Sequence, residues 1–370
     1  MTNPSRSTLE ANLIRHQATG DFAMQAETLM ALAGIAQAEA QEFRVASQHD
    51  RIGNESFHLA IGLYAQAADA YQQTGNLYGT AEALRQVCQC LHLDFSPNVI
   101  ETAGMYQSVL DLYSQLGDLN KQIDVYLEIG EHLVGMRQWA YEQALERATL
   151  VGDLSQQAHI STLLSRVHGY RSPMAGGYAL HAILLYQGLG DRLNEGLIYL
   201  MLGKSASYFN YETAHQHLME AHQLFRSIKA SQHLLETLDA LLDLARKRGD
   251  FAMYRRCHDE KFTLLQDEND RLKALSQLIA IATKHRYFAD ARYAYQQCVA
   301  LMSERGGEAW YYWEWGEMEY RNAGHHEMGI ALCQWAVTLL QNSYGVVVYQ
   351  KKLEAMRKAI PYRHKGFGHD

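Results

Sequence analysis

Apolar residues recur every three or four positions along most of the chain, which is the spacing that places them on one face of an α-helix. Leu234, Leu238 and Leu241 form one such stretch, and Leu275 and Leu278 belong to another. No run shows the alternation of β-branched and polar residues, bounded by turn signals, that is typical of strands. The pattern therefore predicts an all-α protein.

A short turn sequence repeats about every 38 residues. In each copy an aromatic or long apolar residue is followed, after a short gap, by Gly-Asp or Gly-Asn. The clear copies are YQQTGN ending at Asn76, YSQLGD ending at Asp118, ATLVGD ending at Asp153 and YQGLGD ending at Asp191. A fixed period over most of a chain indicates one structural unit used many times. Such a unit does not bury its apolar face alone, so neighbouring units are expected to stack into a solenoid.

The repeated turns separate eight predicted helix pairs, at roughly 21–74, 76–116, 118–151, 153–189, 191–229, 231–267, 269–305 and 306–343. A second set of turns is expected inside the pairs, near Pro97, Gly135, Pro173, Phe209, Gly249, Arg286 and Gly324. The first pair is longer than the others and has a polar break from Ser47 to Glu55.

The two ends of the chain are predicted to cap the array. A short helix near 6–18 precedes the pairs, and a last helix near 346–359 follows them and ends before Pro361. Solenoids need such ends to cover their outer apolar faces. We therefore predict an N-terminal cap over 1–20, one continuous solenoid over 21–345, and a C-terminal cap with a basic tail over 346–370.

Small residues recur where the two helices of a pair would cross. They are Ala214 and Ala221 in FNYETAHQHLMEAHQLF, Ala291 in RYFADARYAYQQC, and Gly329 and Ala336 in GHHEMGIALCQWA. Small side chains at a crossing let the helices approach closely. In these segments the chain resembles the tetratricopeptide repeat superfamily, with the longer period found in variants from bacterial signalling and regulatory proteins. Several copies depart from the pattern: Tyr254 stands where a small residue is expected, and the Gly-Tyr pair typical of the first helix is mostly missing.

The resemblance implies an all-α, right-handed superhelical solenoid of about eight helix-turn-helix repeats with capping helices at both ends. In this superfamily the first helix of each pair lines a concave groove that binds a protein or peptide. Counting back from the turns inside the pairs places the candidate groove residues at His132, His159, Arg166, Tyr199, Asp239, Arg246, Lys273, Lys284, Tyr311 and Arg321. Arginine can hold a carboxylate through two parallel hydrogen bonds, which favours a partner with acidic groups. The alternative is a set of ordinary solvated positions with local ion pairs.

Composition narrows the class of protein. The chain has 33 basic and 41 acidic residues and a net charge of -8, which argues against nucleic acid as its main ligand. Its five cysteines have no framework spacing and are interpreted as reduced thiols of a cytosolic protein. The start, MTNPSRSTLE, lacks the features of a signal peptide, and no apolar run is long enough for a membrane span. We expect a cytoplasmic protein.

Motifs that carry chemistry are missing from the sequence. It has no Gly-rich phosphate loop, no dinucleotide fingerprint and no G-x-S-x-G. Cys88, Cys90, His92 and Asp94 form C-x-C-x-H-x-D, but on a helix Cys90 points away from the face shared by Cys88 and His92. This geometry disfavours a four-ligand metal site. We expect no enzyme activity, no cofactor and no metal.

Five aromatic residues crowd one short segment, namely Trp310, Tyr311, Tyr312, Trp313 and Trp315. On a helix they cover more than half of the circumference, so they cannot all be buried on one face. We expect Tyr312 and Trp315 in the core. Tyr311 lies on the other side and is a candidate contact residue, since tyrosine and tryptophan are enriched at interaction hot spots.

These observations favour a non-enzymatic scaffold or adaptor that binds a partner protein or peptide. A peptide-responsive regulatory protein and an assembly chaperone for a larger complex are the alternatives. Self-association into a homo-oligomer stays open at this point.

Overall fold

The computed structural model describes residues 4–46, 52–93, 99–169, 172–341 and 346–364. These residues form α-helices with two short 3₁₀ turns and one π-helical turn, and they contain no strand. The helices are α1 (Arg6–Thr19), α2 (Phe22–Ala46), α3 (Ile52–Gln73), α4 (Leu77–Leu93), α5 (Val99–Leu116), α6 (Leu119–His132), α7 (Arg137–Val151), α8 (Leu154–Val167), α9 (Pro173–Leu189), α10 (Arg192–Ala206), α11 (Tyr211–Ser227), α12 (Ser231–Arg248), α13 (Phe251–Leu264), α14 (Glu268–Lys284), α15 (Phe288–Met302), α16 (Glu308–Met318), α17 (His326–Leu339) and α18 (Val346–His364).

The chain divides into two compact units, Met1–Asp191 and Arg192–Asp370. In the first unit α2 packs on α3, α4 on α5, α6 on α7, and α8 on α9. In the second unit the packed pairs are α10 with α11, α12 with α13, α14 with α15, and α16 with α17. The expected all-α fold of consecutive helix pairs is therefore confirmed within the described residues. The predicted domain boundaries, with one continuous array over 21–345, stay a prediction.

The Gly-Asp turns join one pair to the next by two complementary devices. Gly117 adopts a left-handed φ of 68°, which glycine enters without a steric cost and which ends α5. The Asp118 carboxylate then accepts a hydrogen bond of 3.0 Å from the Lys121 amide and caps α6. Gly152 and Asp153 repeat this arrangement between α7 and α8. The repeated turns predicted from the sequence are confirmed wherever the structure describes them.

The helices of a pair cross at small residues. Gly316 of α16 and Gly329 of α17 are so close that a Cβ added to either would lie 2.7 Å from the other's carbonyl oxygen. Ala214 and Ala291 are fully buried at the corresponding crossings of their own pairs. The close approach lets larger side chains on both flanks pack into the apolar core of each pair.

The C-terminal helix differs from its prediction. We expected it to end before Pro361, but α18 continues through Pro361 to His364. Proline lacks the amide hydrogen of a helix interior, yet Pro361 lies in the last turn, where it removes a single hydrogen bond close to the end. The predicted turn near Pro97, most of the polar break from Ser47 to Glu55, and Lys365 of the basic tail lie outside the described residues.

Candidate partner-binding surface

The ten predicted groove residues all lie on the first helices of their pairs or in the turn that follows one. They stand on α6, α8, α10, α12, α14 and α16, with Arg321 in the π-helical turn Glu319–Ala323. Eight of them are exposed, whereas Tyr199 and Tyr311 are half buried. Exposure makes this set available to a partner, and its assignment as a binding groove stays a prediction.

Several of these charges already have local partners. Arg246 pairs with Asp243, Lys273 with Asp270 at 2.8 Å, and Arg321 with Glu317 at 3.0 Å. Each pair lies within one helix or its continuation and has an exposed cation, so it contributes little to stability and a partner's carboxylate can replace it. Arg166 and Lys284 form no ion pair with any described residue.

A recess lies between the first helices α12 and α14 of neighbouring pairs, with a volume of about 390 Å³. We call it the α12–α14 recess. Its lining residues are Asp239, Leu242, Asp243, Arg246, Tyr254, Gln277, Ala280 and Ile281. It therefore combines an apolar floor with two carboxylates and a guanidinium, and two of the predicted groove residues, Asp239 and Arg246, lie in its wall.

Tyr254, which departs from the repeat pattern, is one of the residues that line the recess. Tyr254 is the fourth residue of α13 and is 4% exposed, whereas the fourth residues of α11, α15 and α17 are Ala214, Ala291 and Gly329. A phenol ring occupies more room than a methyl group, and here the buried ring lines the recess between α12 and α14. Burial raises the pKa of the Tyr254 hydroxyl, which keeps it neutral.

In the first unit the predicted groove residue His132 stacks on His92, with ring centroids 4.3 Å apart. The Nε2 atom of His92 lies 3.0 Å from the hydroxyl of Tyr106 on α5. Burial, together with the neighbouring His132, lowers the pKa of His92 to about 4. His92 is therefore uncharged near neutral pH, and it ties α4 to α5 and α6 by packing and a hydrogen bond.

The sequence analysis missed a fully buried carboxylate in the second unit. Glu319 receives hydrogen bonds from Arg292 Nε at 2.5 Å and Trp315 Nε1 at 3.0 Å, and its Oε2 lies 2.9 Å from His325 Nδ1. Burial alone would raise the pKa of Glu319, but these neighbours outweigh it and hold the pKa below the usual value. The only sequence signal was its position four residues after Trp315, on the same helix face.

The aromatic segment is distributed differently from our expectation. Trp315 is buried as expected, but Tyr312 is only half buried, and Trp313, which we had not placed in the core, is 2% exposed. Trp313 packs edge-on against Tyr349 of α18, with ring centroids 4.8 Å apart. The capping helix thus supplies the contact that buries it. Tyr311 packs partly on the core, while Trp310 is exposed.

The cysteines serve packing. Cys88, Cys90, Cys298 and Cys333 are buried and Cys257 is half buried. Cys88 and Cys90 belong to two different apolar clusters, as their opposite helix faces require, and Asp94 lies outside the described residues. Within the described residues, no three His, Cys, Asp or Glu side chains are grouped so that they could hold a metal ion. None of the described helices is both long and apolar enough for a membrane crossing.

No protein-family model matches the chain, and no curated protein matches it. It is similar in structure to a signal-transduction ATPase with a tetratricopeptide repeat sensor from Pyrococcus horikoshii, at 14% identity and a TM-score of 0.42, over 88% of this chain and 49% of that one. BtubC from P. vanneervenii is similar at 19% identity and a TM-score of 0.34, over 65% and 90%. A Rap protein in complex with competence and sporulation factor is similar at 11% identity and a TM-score of 0.34, over 97% of this chain and 99% of that one.

Proposed function

We propose that this tetratricopeptide-like repeat protein is a non-enzymatic scaffold or adaptor, and that the exposed surface of its first helices binds a partner protein or peptide with acidic groups. The observation that carries the proposal is the α12–α14 recess, where exposed charges surround an apolar floor. Such a combination suits a protein segment, whose side chains supply both apolar surface and charge. The proposal places this activity in the cytoplasm and requires no cofactor.

Two features support an extended surface rather than a single pocket. Exposed cations occur on the first helix α8 of the first unit, at Arg166, and in the second unit on α12, on α14 and in the turn after α16, at Arg246, Lys284 and Arg321. Arg166 and Lys284 are not held by ion pairs within the described residues, so they are available to an incoming carboxylate without breaking an existing contact. Charge-assisted hydrogen bonds of this kind are about twice as strong as neutral ones.

The test is capture of the cellular partner by the tagged full chain and by the variant that combines Arg166→Glu, Arg246→Glu and Arg321→Glu. Mass spectrometry of the two captured samples is expected to show a partner with the native chain and its loss by at least about tenfold with the variant, since three favourable contacts become repulsive. Circular dichroism verifies that the variant is folded.

A matched control carries the same change in charge on other surfaces. Arg226 and Arg256 are exposed on the second helices α11 and α13, and Lys351 is exposed on α18. The combined reversal of these three is expected to leave capture unchanged. Equal loss of capture in both variants would show that only the net charge matters. If the first variant captures the partner as the native chain does, the first helices are not the binding surface.

A further inference from the structure

The turns inside the pairs of the second unit form a continuous edge. Three contacts connect consecutive turns: Lys247 lies 4.8 Å from the Tyr208 ring centroid, Arg248 lies 5.1 Å from that of Tyr211, and Phe251 stacks on Tyr287 at 3.9 Å. We call this surface, from Tyr208 to Tyr287, the turn edge. It adjoins the first-helix surface and shares Arg246 and Lys284 with it, but it consists of helix ends and turns rather than helix sides.

Cations accumulate at the centre of the turn edge. The helix α12 ends in Arg246, Lys247 and Arg248, while α14 ends in Lys284 and is followed by His285 and Arg286. Two carboxylates face them from the packed elements. Asp243 pairs with both Arg246 and Lys247, and Asp250 caps α13 through the Met253 amide at 2.9 Å.

The helix carbonyl ends offset only part of this charge. Each helix C-terminus carries roughly half a negative charge. Five permanent cations therefore outnumber the carboxylates of Asp243 and Asp250 beside them. The side chains of Arg248, Lys284 and Arg286 are exposed.

The turn between α14 and α15 lacks two features that stabilise the corresponding turn between α12 and α13. The corresponding turn between α12 and α13 has Gly249 at φ 74° and a capping carboxylate on Asp250. Here Arg286 adopts the left-handed φ of 64°, which is costly for a residue with a side chain, and Tyr287 provides no side-chain cap. This turn exposes the guanidinium of Arg286 and the aromatic ring of Tyr287, which is 44% exposed.

The turn edge leads directly into the α12–α14 recess. Arg246, Tyr254 and Ile281 line the recess and also a small cavity beside Phe251 and His285 at the edge. We propose that the turn edge is the docking point for an acidic segment of a protein partner, with carboxylates between Arg248 and Arg286 and a neighbouring apolar side chain in the recess. This inference rests on the proposed function and names the chemistry of the segment.

The recess favours a polypeptide over a nucleic acid. Asp239 and Asp243 would repel a continuous phosphate backbone, whereas Leu242 and Ile281 suit an aliphatic side chain. The net charges of the two units agree with a site for an acidic segment in the second unit. The first unit has 10 basic and 20 acidic residues and the second has 23 and 21, so the net charges are -10 and +2. On net charge, the second unit therefore favours an acidic segment more than the first unit does.

The experiment measures fluorescence anisotropy with the full chain and a short fluorescein-labelled peptide in which glutamate alternates with leucine. Binding is expected, and it is expected to weaken by at least about tenfold in the variant Arg248→Glu with Arg286→Glu, because two attractive charges become repulsive. The control is Arg226→Glu with Lys229→Glu, which makes the same charge change and includes a residue at a left-handed φ of 56°. Its affinity is expected to stay within about twofold of the native value.

Three outcomes would overturn the inference: no binding of the peptide, equal weakening in both variants, or tighter binding of single-stranded oligothymidylate that is lost in the same variant. The last outcome would identify a nucleic-acid site. The test is separable from that of the proposed function. If cellular partners are captured by the Arg248 and Arg286 variant as by the native chain, the turn edge is rejected and the first-helix surface stands. If the native chain captures none, the scaffold proposal fails whatever the peptide does.

Discussion

At the scale of single residues, the carboxylate of Glu319 connects two neighbouring helix pairs. Its partner Arg292 belongs to α15, while Trp315 and His325 belong to α16 and the turn after it. A buried charge is tolerated only when it is paired and hydrogen-bonded, and Glu319 satisfies both conditions. Glu319 is the first residue of the π-helical turn Glu319–Ala323, so the departure from α-helical geometry begins at the residue that contacts α15.

Replacement of Glu319 by glutamine is expected to lower the free energy of unfolding by about 2 kcal/mol, because Arg292 loses its counter-ion. The loss is below the usual range for a fully buried pair, since the Arg292 side chain is 29% exposed and partly screened by water. Chemical denaturation measures the difference. The control Glu317→Gln breaks a pair with the exposed Arg321 and is expected to cost less than about 0.5 kcal/mol. Equal losses would show that burial of Glu319 adds nothing.

At the scale of elements, the distance between the two helices of a pair depends on the residue at their crossing. Ala214, Ala291 and Gly329 are buried small residues at their crossings, whereas the corresponding Tyr254 is a buried aromatic residue that lines the α12–α14 recess. A departure from the repeat pattern thus coincides with a candidate binding feature.

Substitution of Gly329 by alanine is expected to destabilise the protein by about 2 kcal/mol, as overpacking does. The added Cβ would lie 2.7 Å from the Gly316 carbonyl oxygen and 2.8 Å from the Tyr320 amide nitrogen, and backbone atoms cannot move aside as a flexible side chain can. Gly177→Ala in α9 is the matched control, since nothing lies within 4 Å of its added Cβ. There alanine is expected to stabilise by about 0.5–1 kcal/mol through its higher helix propensity. Thermal unfolding compares the two, and a neutral Gly329 variant would contradict the close crossing.

At the scale of the whole molecule, both units contain histidines whose pKa is lowered by burial. His92 lies in the first unit, and His217 and His258 lie in the second. In the unfolded chain each takes up a proton near its ordinary pKa of 6.5, whereas the folded protein resists protonation until a lower pH. Acid therefore favours unfolding of both units by the same mechanism.

The free energy of unfolding is expected to be highest above pH 6.5 and to fall as the pH drops from 6.5 toward 4, the interval between the unfolded and folded pKa of His92. In this interval the unfolded state binds more protons than the folded state, so the free energy of unfolding falls with each unit by which the pH decreases. Denaturation curves across the interval measure this slope, which His92→Gln is expected to reduce. The exposed His159→Gln serves as the control. An unchanged slope in the His92 variant would contradict the assignment.

The sequence by itself determined the helices, their pairing and the turns between them. These depend on local signals: apolar spacing of three and four, a glycine such as Gly117 that ends one helix, and a carboxylate such as Asp118 that begins the next. The position of the candidate groove residues on first helices followed from counting along this regular pattern. Local signals are sufficient here because each repeat contacts only its neighbours.

The tertiary structure alone decided which side chains are buried where several alternatives share a helix. Trp313 is buried because Tyr349, distant in sequence, packs on it, and Glu319 is ionised inside the core because Arg292 reaches it from another pair. The α12–α14 recess likewise requires the ring of Tyr254 between two helices. Burial, pKa and cavity volume depend on atoms brought together from separate parts of the chain, and helical periodicity contains no information about those neighbours.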